Sequence, residues 1–293
     1  NFAKKVEISD DTSTYTIHLR KGVKWSDGEP FTTEDIMFWY NDFLLNEEIT
    51  PVVSSVWKSG GEIVKVEKVN EYVFKFIFAN PNPFFKTILA HAQGAAPLVP
   101  KHYLKQFHPK YTDKDQIIEE AKENGFDYWY QYFLDRATSS AIIPGQEELP
   151  TLGPYTLVEK VSNRHIFKRN PFYWKVDQEG NQLPYIDKID VEVASNREVI
   201  NGKIMSGALD FEGSATDIRN YPMYRKYEDK AGYKTYLWSS GMGSEAVYML
   251  NQTVKNPDLR KVFQDVRFRR ALSLGMNRNE ISEAIYFGKA EPR

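Results

Sequence analysis

Cysteine is missing from all 293 residues. Its absence excludes disulfides, thiolate nucleophiles and cysteine-based zinc sites, and it fits a cytosolic protein as well as an exported bacterial one. No apolar run approaches the roughly 18 residues of a membrane span, and no charged-then-apolar leader opens the chain. The first residues, NFAKKVEIS, and the last, GKAEPR, both read as internal. A segment of a longer protein is expected, so the missing leader carries no weight. An excess of one charge is lacking too, since 38 Lys and Arg stand against 40 Asp and Glu without any block of like sign. Nucleic-acid binders draw affinity from neutralised phosphates and membrane-surface binders from polybasic patches. Neither partner is expected here.

Catalytic patterns are equally scarce. The five histidines, His18, His91, His102, His108 and His165, form no HExxH motif and no i,i+4 pair. They read as surface or satisfied polar side chains. There is no GxSxG elbow, no phosphate-binding GxxxxGKS/T loop and no GxGxxG after a strand. Gly241-Met242-Gly243 lacks the third glycine. Asp177-Gln178-Glu179-Gly180-Asn181 has the composition of a calcium loop, but Gln182 occupies the place of the required glycine and no glutamate follows at the twelfth position. It reads as a solvated turn. With 27% charged residues, paired carboxylates occur throughout and no acid–base couple stands out. No cofactor and no metal are expected, and the empty inventory leans toward binding rather than turnover.

Aromatic residues are what the chain has in quantity: 18 Tyr, 18 Phe and 6 Trp. They serve either a large core or a ring-lined cleft, which suits sugars and peptides. The length allows a sizeable core and two domains.

Local signals are strong. Thr14 to Leu19 alternates, with Tyr15, Ile17 and Leu19 on one face, as a half-buried strand does. Ser26-Asp27-Gly28 makes a turn, Pro30 holds the chain extended, and Thr32 with Asp35 forms a capping box for a helix with an aromatic stripe. A hairpin is expected over 62–78 about Asn70-Glu71, a short helix from Phe84 to His91, and helices over 112–124, with Asp115 in capping-box position, and 126–136. A second hairpin spans Tyr155 to Lys168, followed by a strand over 186–193 and a helix over 196–205. Strands are expected at Tyr233–Trp238 and Ala246–Leu250, and helices over 265–276 and 277–286. No repeat of 20–50 residues appears.

These residues carry a family resemblance. Leu19, Arg20, Gly22, Trp25, Ser26, Asp27, Gly28, Pro30, Thr32 and Asp35 resemble the opening signature of the family 5 extracellular solute-binding proteins of ABC importers, with Thr33 in place of the usual alanine. Leu152-Gly153-Pro154-Tyr155-Thr156-Leu157 is similar to a second family segment, although Leu152 stands where threonine is common. Arg169-Asn170-Pro171-Phe172-Tyr173-Trp174 with Leu183–Asp187 is similar to a third. Asp265–Leu272 with Met276-Asn277-Arg278 is similar to a fourth, Asn277 replacing aspartate, which caps a helix as well. All four appear in the family's order.

The resemblance implies an α/β (mixed α+β) fold, a type II periplasmic-binding-protein lobe carrying the extra α/β domain of the peptide-binding branch, with the second lobe incomplete. Residues 1–150 would be the extra domain, 151–246 the core sheet of the first lobe, and 247–293 the start of the second. It implies a scaffold role for the WSDG turn, with Trp25 buried. It also implies an extracytoplasmic receptor that binds an oligopeptide or oligosaccharide, delivers it to ABC permease subunits and catalyses nothing. Membrane attachment would run only through an anchor outside this chain. Scattered histidines disfavour nickel. Two other readings stay open, a carbohydrate hydrolase with an aromatic cleft and the sensing domain of a larger regulator.

Ligand contacts are expected on loops facing the other lobe. The first candidate is Trp238-Ser239-Ser240-Gly241-Met242-Gly243, a stacking ring followed by open backbone N–H groups, which also reads as a plain hinge. His91, Gln93 and Gly94 come next, then Phe211, Glu212 and Gly213, then Trp57 beside Ser59-Gly60-Gly61. For these three groups the alternative is packing or a solvated loop.

Overall fold

The computed structural model describes residues 2–137, 146–238 and 247–291. Contacts gather the chain into two compact units, Asn1–Val193 and Ala194–Arg293.

The first unit opens with β1 (Ala3–Ile8) and β2 (Thr14–Leu19). Helix α1 (Thr33–Phe38) runs on into a π-helical turn at Trp39–Leu44. Two-residue strands β3 (Lys58–Ser59) and β4 (Glu62–Ile63) pair across Gly60-Gly61, and β5 (Lys65–Asn70) and β6 (Val73–Ile77) form the expected hairpin. The four long strands make an antiparallel sheet in the order β1-β2-β6-β5. Alternation decides its faces: Tyr15, Ile17 and Leu19 of β2 and Phe74 and Phe76 of β6 are buried, while their neighbours are partly exposed.

That buried face is one wall of an aromatic core shared with Trp25, Phe31, Ile36, Trp39, Trp57 and Phe85, the last from α2 (Phe85–Ala90). A second core lies among α3 (Lys101–Leu104), α4 (Lys114–Glu123) and α5 (Trp129–Ala137), with Leu104, Phe107, Ile117, Ala121, Trp129, Tyr132 and Phe133 inside it. Helix α1 and the turn that continues it serve both cores, for Ile36 and Trp39 belong to the first and Phe38 to the second. The cap of α4 differs from expectation. Asp113 accepts from the N–H groups of Asp115 and Gln116 at 3.1 and 3.0 Å, so Asp115 is a first-turn residue.

Strands β7 (Tyr155–Val161), β8 (Arg164–Arg169) and β9 (Lys188–Glu192) form a separate antiparallel sheet in that order. It packs within the first unit because three of the sequence motifs meet there. Ser26 and Thr151 exchange two hydrogen bonds, the Ser26 N–H to the Thr151 carbonyl at 2.9 Å and the Thr151 N–H to Ser26 Oγ at 3.0 Å. Asn170, fully buried, donates from Nδ2 to the Gly153 carbonyl at 2.9 Å. The Trp174 ring lies 5.3 Å from Phe2. The break in packing at 193/194 is therefore a different border from those expected at 150 and 246.

The second unit holds α6 (Arg197–Ser206), α7 (Tyr221–Ala231), α8 (Pro257–Gln264), α9 (Val266–Gly275) and α10 (Arg278–Tyr286). Helix α7 has no sequence counterpart above. It carries Pro222 in its first turn and stops at Gly232, whose φ of 74° closes the helix. The strands expected at 233–238 and 246–250 are not formed among the described residues: the chain at 233–238 and 247–250 has no ladder partner. Alternation proposes a strand, but only a neighbour's N–H and C=O groups complete one.

Candidate functional site

The WSDG turn is scaffold. Its tight shape comes from the Gly28 N–H donating to the Trp25 carbonyl at 2.9 Å and the Trp25 N–H donating to the Glu29 carbonyl at 2.8 Å. Gly28 has a φ of 95°, which favours glycine, and a Cβ there would stand 3.2 Å from the Phe172 ring, so that ring would have to give way. Trp25 is fully buried, edge-on to Phe31 with centroids 5.8 Å apart. The capping box also forms, with Thr32 Oγ1 accepting from the Glu34 N–H and Asp35 Oδ2 accepting from the Thr32 N–H at 3.0 Å. Asp35 Oδ1 takes the Lys101 N–H at 3.0 Å, tying α3 to α1. Burial raises the Asp35 carboxyl above its ordinary value, against the N–H groups of Thr32 and Lys101 and the Trp25 indole. The buried Asp35 carboxylate is engaged within the scaffold, while Asp27 and Glu34 lie at the surface, Asp27 on His102 and Glu34 on Lys68 and Lys101.

The candidate ligand residues fare differently from one another. Trp57 is 5% exposed and wedged between Trp39, Phe76 and Phe85 at centroid distances of 4.7, 5.8 and 5.7 Å. Such enclosure fits the packing alternative that the sequence left open for Trp57. The glycines beside it turn β3 into β4. His91 and Gln93 are exposed and share one turn at the end of α2, where the Gly94 N–H donates to the His91 carbonyl at 2.9 Å. Helix α2 thus brings these two together.

In the second unit, Phe211 is 76% exposed on a loop after α6. Its neighbour Glu212 is turned into that loop. Glu212 Oε1 accepts the N–H groups of Ser214 and Ala215 at 2.7 and 2.8 Å and the Ser214 hydroxyl at 3.1 Å. Burial opposes its charge, but the N–H donors of Ala215, Ser214 and Gly213 outweigh it and lower the pKa. An ionised carboxylate with Oε2 unengaged by these three bonds results. Trp238 is 78% exposed, while Ser239, Ser240, Gly241, Met242 and Gly243 lie outside the described residues. Sequence reading passed over three other exposed apolar residues of the second unit. Tyr236, Tyr248 and Met249 are 70%, 79% and 89% exposed. Their clustering on both sides of a serine- and glycine-rich stretch was the available signal.

The Asp177 turn is self-contained. Its carboxylate accepts from the Asn181 N–H at 2.8 Å, Asn181 Nδ2 at 2.9 Å and the Tyr185 hydroxyl at 2.7 Å. The Tyr185 and Asn181 bonds hold its pKa down at about 2. Among the described residues no helix is long and apolar enough to cross a membrane.

The pattern of the bacterial extracellular solute-binding proteins, family 5 Middle, matches residues 1–293. The chain belongs to this family. It is 26% identical over 303 residues to the periplasmic alpha-galactoside-binding protein of Rhizobium meliloti (strain 1021), which covers 98% of this chain and 40% of the relative. Among solved structures, an oligopeptide-binding protein OppA superposes with a TM-score of 0.78 at 40% identity, covering 100% of this chain and 46% of that one. The periplasmic binding protein MelB of agrobacterium fabrum C58, in complex with stachyose, gives a TM-score of 0.60 at 26% identity over 78% of this chain and 31% of that one. The fold is the mixed α and β fold of OppA-type periplasmic binding proteins, and the chain spans less than half the length of these relatives.

Proposed function

We propose that this chain is part of an extracytoplasmic receptor of an ABC importer. It binds an oligopeptide or an oligosaccharide, hands it unchanged to the membrane permease and catalyses nothing. The observation that supports this most is agreement along the whole chain, 40% identical over 100% of its length, with a protein described as oligopeptide-binding. The sugar arm is supported by the alpha-galactoside-binding relative and the stachyose complex, both at 26% identity.

On this reading residues 1–150 form the extra domain, 151–246 the first-lobe core and 247–293 the start of the second lobe. On the second unit Phe211 and Trp238 offer ring faces and Glu212 offers one carboxylate oxygen to a hydroxyl or ammonium group; on the first unit, taken by itself, His91 and Gln93 offer polar edges. Ser239, Ser240 and Gly241, which lie outside the described residues, belong to the same proposed set. Exposed rings beside polar groups suit ligands that are apolar on one face and polar at the edges.

Thermal melts of the protein with panels of oligopeptides and α-galactosides test the proposal. A ligand at 100 times its Kd adds roughly 2.7 kcal/mol, which raises Tm by roughly 5–10 °C at this size. Mass spectrometry of the recovered solute should return its starting mass. No shift with any member of either panel sinks the receptor reading, and a shortened glycan replaces it with a hydrolase. Trp238→Ala should abolish the shift while leaving the ligand-free Tm unchanged, since so exposed a ring contributes little to folding.

A further inference from the structure

We propose that His108 is an acid-sensitive latch: neutral, it closes the packing of α4 and α5 against α1, and protonated, it releases them. His108 follows α3 in the loop that leads to α4, and it is 4% exposed. The rings of Phe38, Tyr111, Trp129 and Phe133 enclose it, their centroids at 6.3, 5.8, 5.1 and 5.5 Å. It thus sits where α1, α5 and its own loop meet.

The imidazole faces two N–H donors and one acceptor, the Asp42 main-chain carbonyl, whose hydrogen bond favours the protonated ring. Nδ1 accepts from the Lys110 main-chain N–H at 3.2 Å, and Nε2 lies 3.4 Å from Asn46 Nδ2. The Asn46 amide has little freedom to turn over, because its Oδ1 accepts the N–H groups of Glu48 and Ile49 at 3.0 and 3.3 Å. A neutral imidazole has one acceptor nitrogen, and an imidazolium has none. Protonation therefore sets the Nδ1–H against the Lys110 N–H, inside a shell of rings that cannot replace water around a charge.

The charged groups facing the ring do not rescue it. The carboxylates of Asp42 and Glu48 and the Asp42 main-chain carbonyl favour the cation, and the Lys110 ammonium opposes it. Asp42 is already engaged, accepting from Lys110 Nζ and from the Tyr111 hydroxyl, each at 2.6 Å. Glu48 Oε1 accepts from Trp129 Nε1 at 3.2 Å. From α5 only the rings of Trp129 and Phe133 face the imidazole. Burial prevails over the carboxylates and holds His108 below the ordinary histidine value. The sign follows. The unfolded histidine takes up its proton near pH 6.5, so stability is whole above that pH. It is lost as pH falls from there toward the lower folded value. A receptor outside the cytoplasm meets the pH of its surroundings directly, which gives such a latch something to sense.

The test runs two measurements on the protein between pH 7.5 and 5. Nitrogen-15 NMR of the imidazole should show His108 taking up its proton at a lower pH than an unperturbed histidine. Hydrogen exchange, corrected for intrinsic rates, should show protection in α4 and α5 falling with a limiting slope of about tenfold per pH unit below 6.5, while β2 and β6 keep theirs. His108→Asn keeps an acceptor near the Nδ1 position and carries no titrating group, so its α4 and α5 protection should stay flat. An unchanged acid loss in His108→Asn overturns the proposal. So does a wild-type His108 that titrates near pH 6.5 with protection intact. If His108→Asn fails to fold, the wild-type NMR and exchange profiles decide alone.

Discussion

Replacing Trp57 by alanine separates the two roles this residue has been given. Fully burying an aromatic side chain of its size removes on the order of 150–250 Å² from water, or roughly 4–6 kcal/mol at about 25 cal/mol per Å². Large-to-small changes at buried Trp and Phe cost about 3–5 kcal/mol. The two estimates overlap near 4–5 kcal/mol, and the three ring contacts to Trp39, Phe76 and Phe85 place Trp57→Ala at the upper end. At roughly 2–4 °C per kcal/mol for a unit of this size, Tm should drop by about 8–20 °C. Urea melts followed by far-ultraviolet circular dichroism measure the loss. Trp57→Phe, which keeps a ring in the site, should fold, cost clearly less and bind whatever solute the wild type binds with equal affinity. A loss under about 1 kcal/mol for Trp57→Ala, or a folded Trp57→Phe that no longer binds solute, would refute the assignment of Trp57 to the core.

Asp35→Asn leaves one oxygen for the two N–H donors of Thr32 and Lys101, so it should cost about 1–3 kcal/mol in urea melts; a neutral result would mean that the buried charge penalty cancels the cap. Gly28→Ala should cost about 1–3 kcal/mol from the positive φ and the Phe172 approach, and an unchanged Tm would contradict both. Hydrogen bonds from the Lys101 and Lys68 ammonium groups hold the Glu34 carboxyl down at about 2. Its contribution is whole above the unfolded value and is lost as pH falls from there toward 2. Because the group is half exposed, the loss should stay under about 1 kcal/mol and shrink with salt. Acid melts of Glu34→Gln against wild type, at low and high salt, check this, and identical curves would dismiss the pair as a stabiliser.

What could be read from the chain alone was local. The Tyr15-Ile17-Leu19 alternation, the Thr32–Asp35 box and the Asn70-Glu71 hairpin are each set by residues within one turn or one strand, and all three form. Family membership was legible for the same reason, since each motif is a local signature. Elements without an apolar rhythm escaped notice. Strand β1 is mostly exposed and exists because β2 offers it a ladder, and α7 carries charges and tyrosines with Tyr224 alone buried. Pro222 and Gly232 at its two ends were the signal that was there to be used. Tertiary structure alone decided which rings are core and which remain in water. Trp57 and Trp238 both stand in sequence beside small residues, yet one is 5% exposed and the other 78%. Burial is settled by the side chains that arrive from far along the chain. For Trp57 these are Phe76 and Phe85, whose positions follow from strand pairing and from the turn that leads into α2.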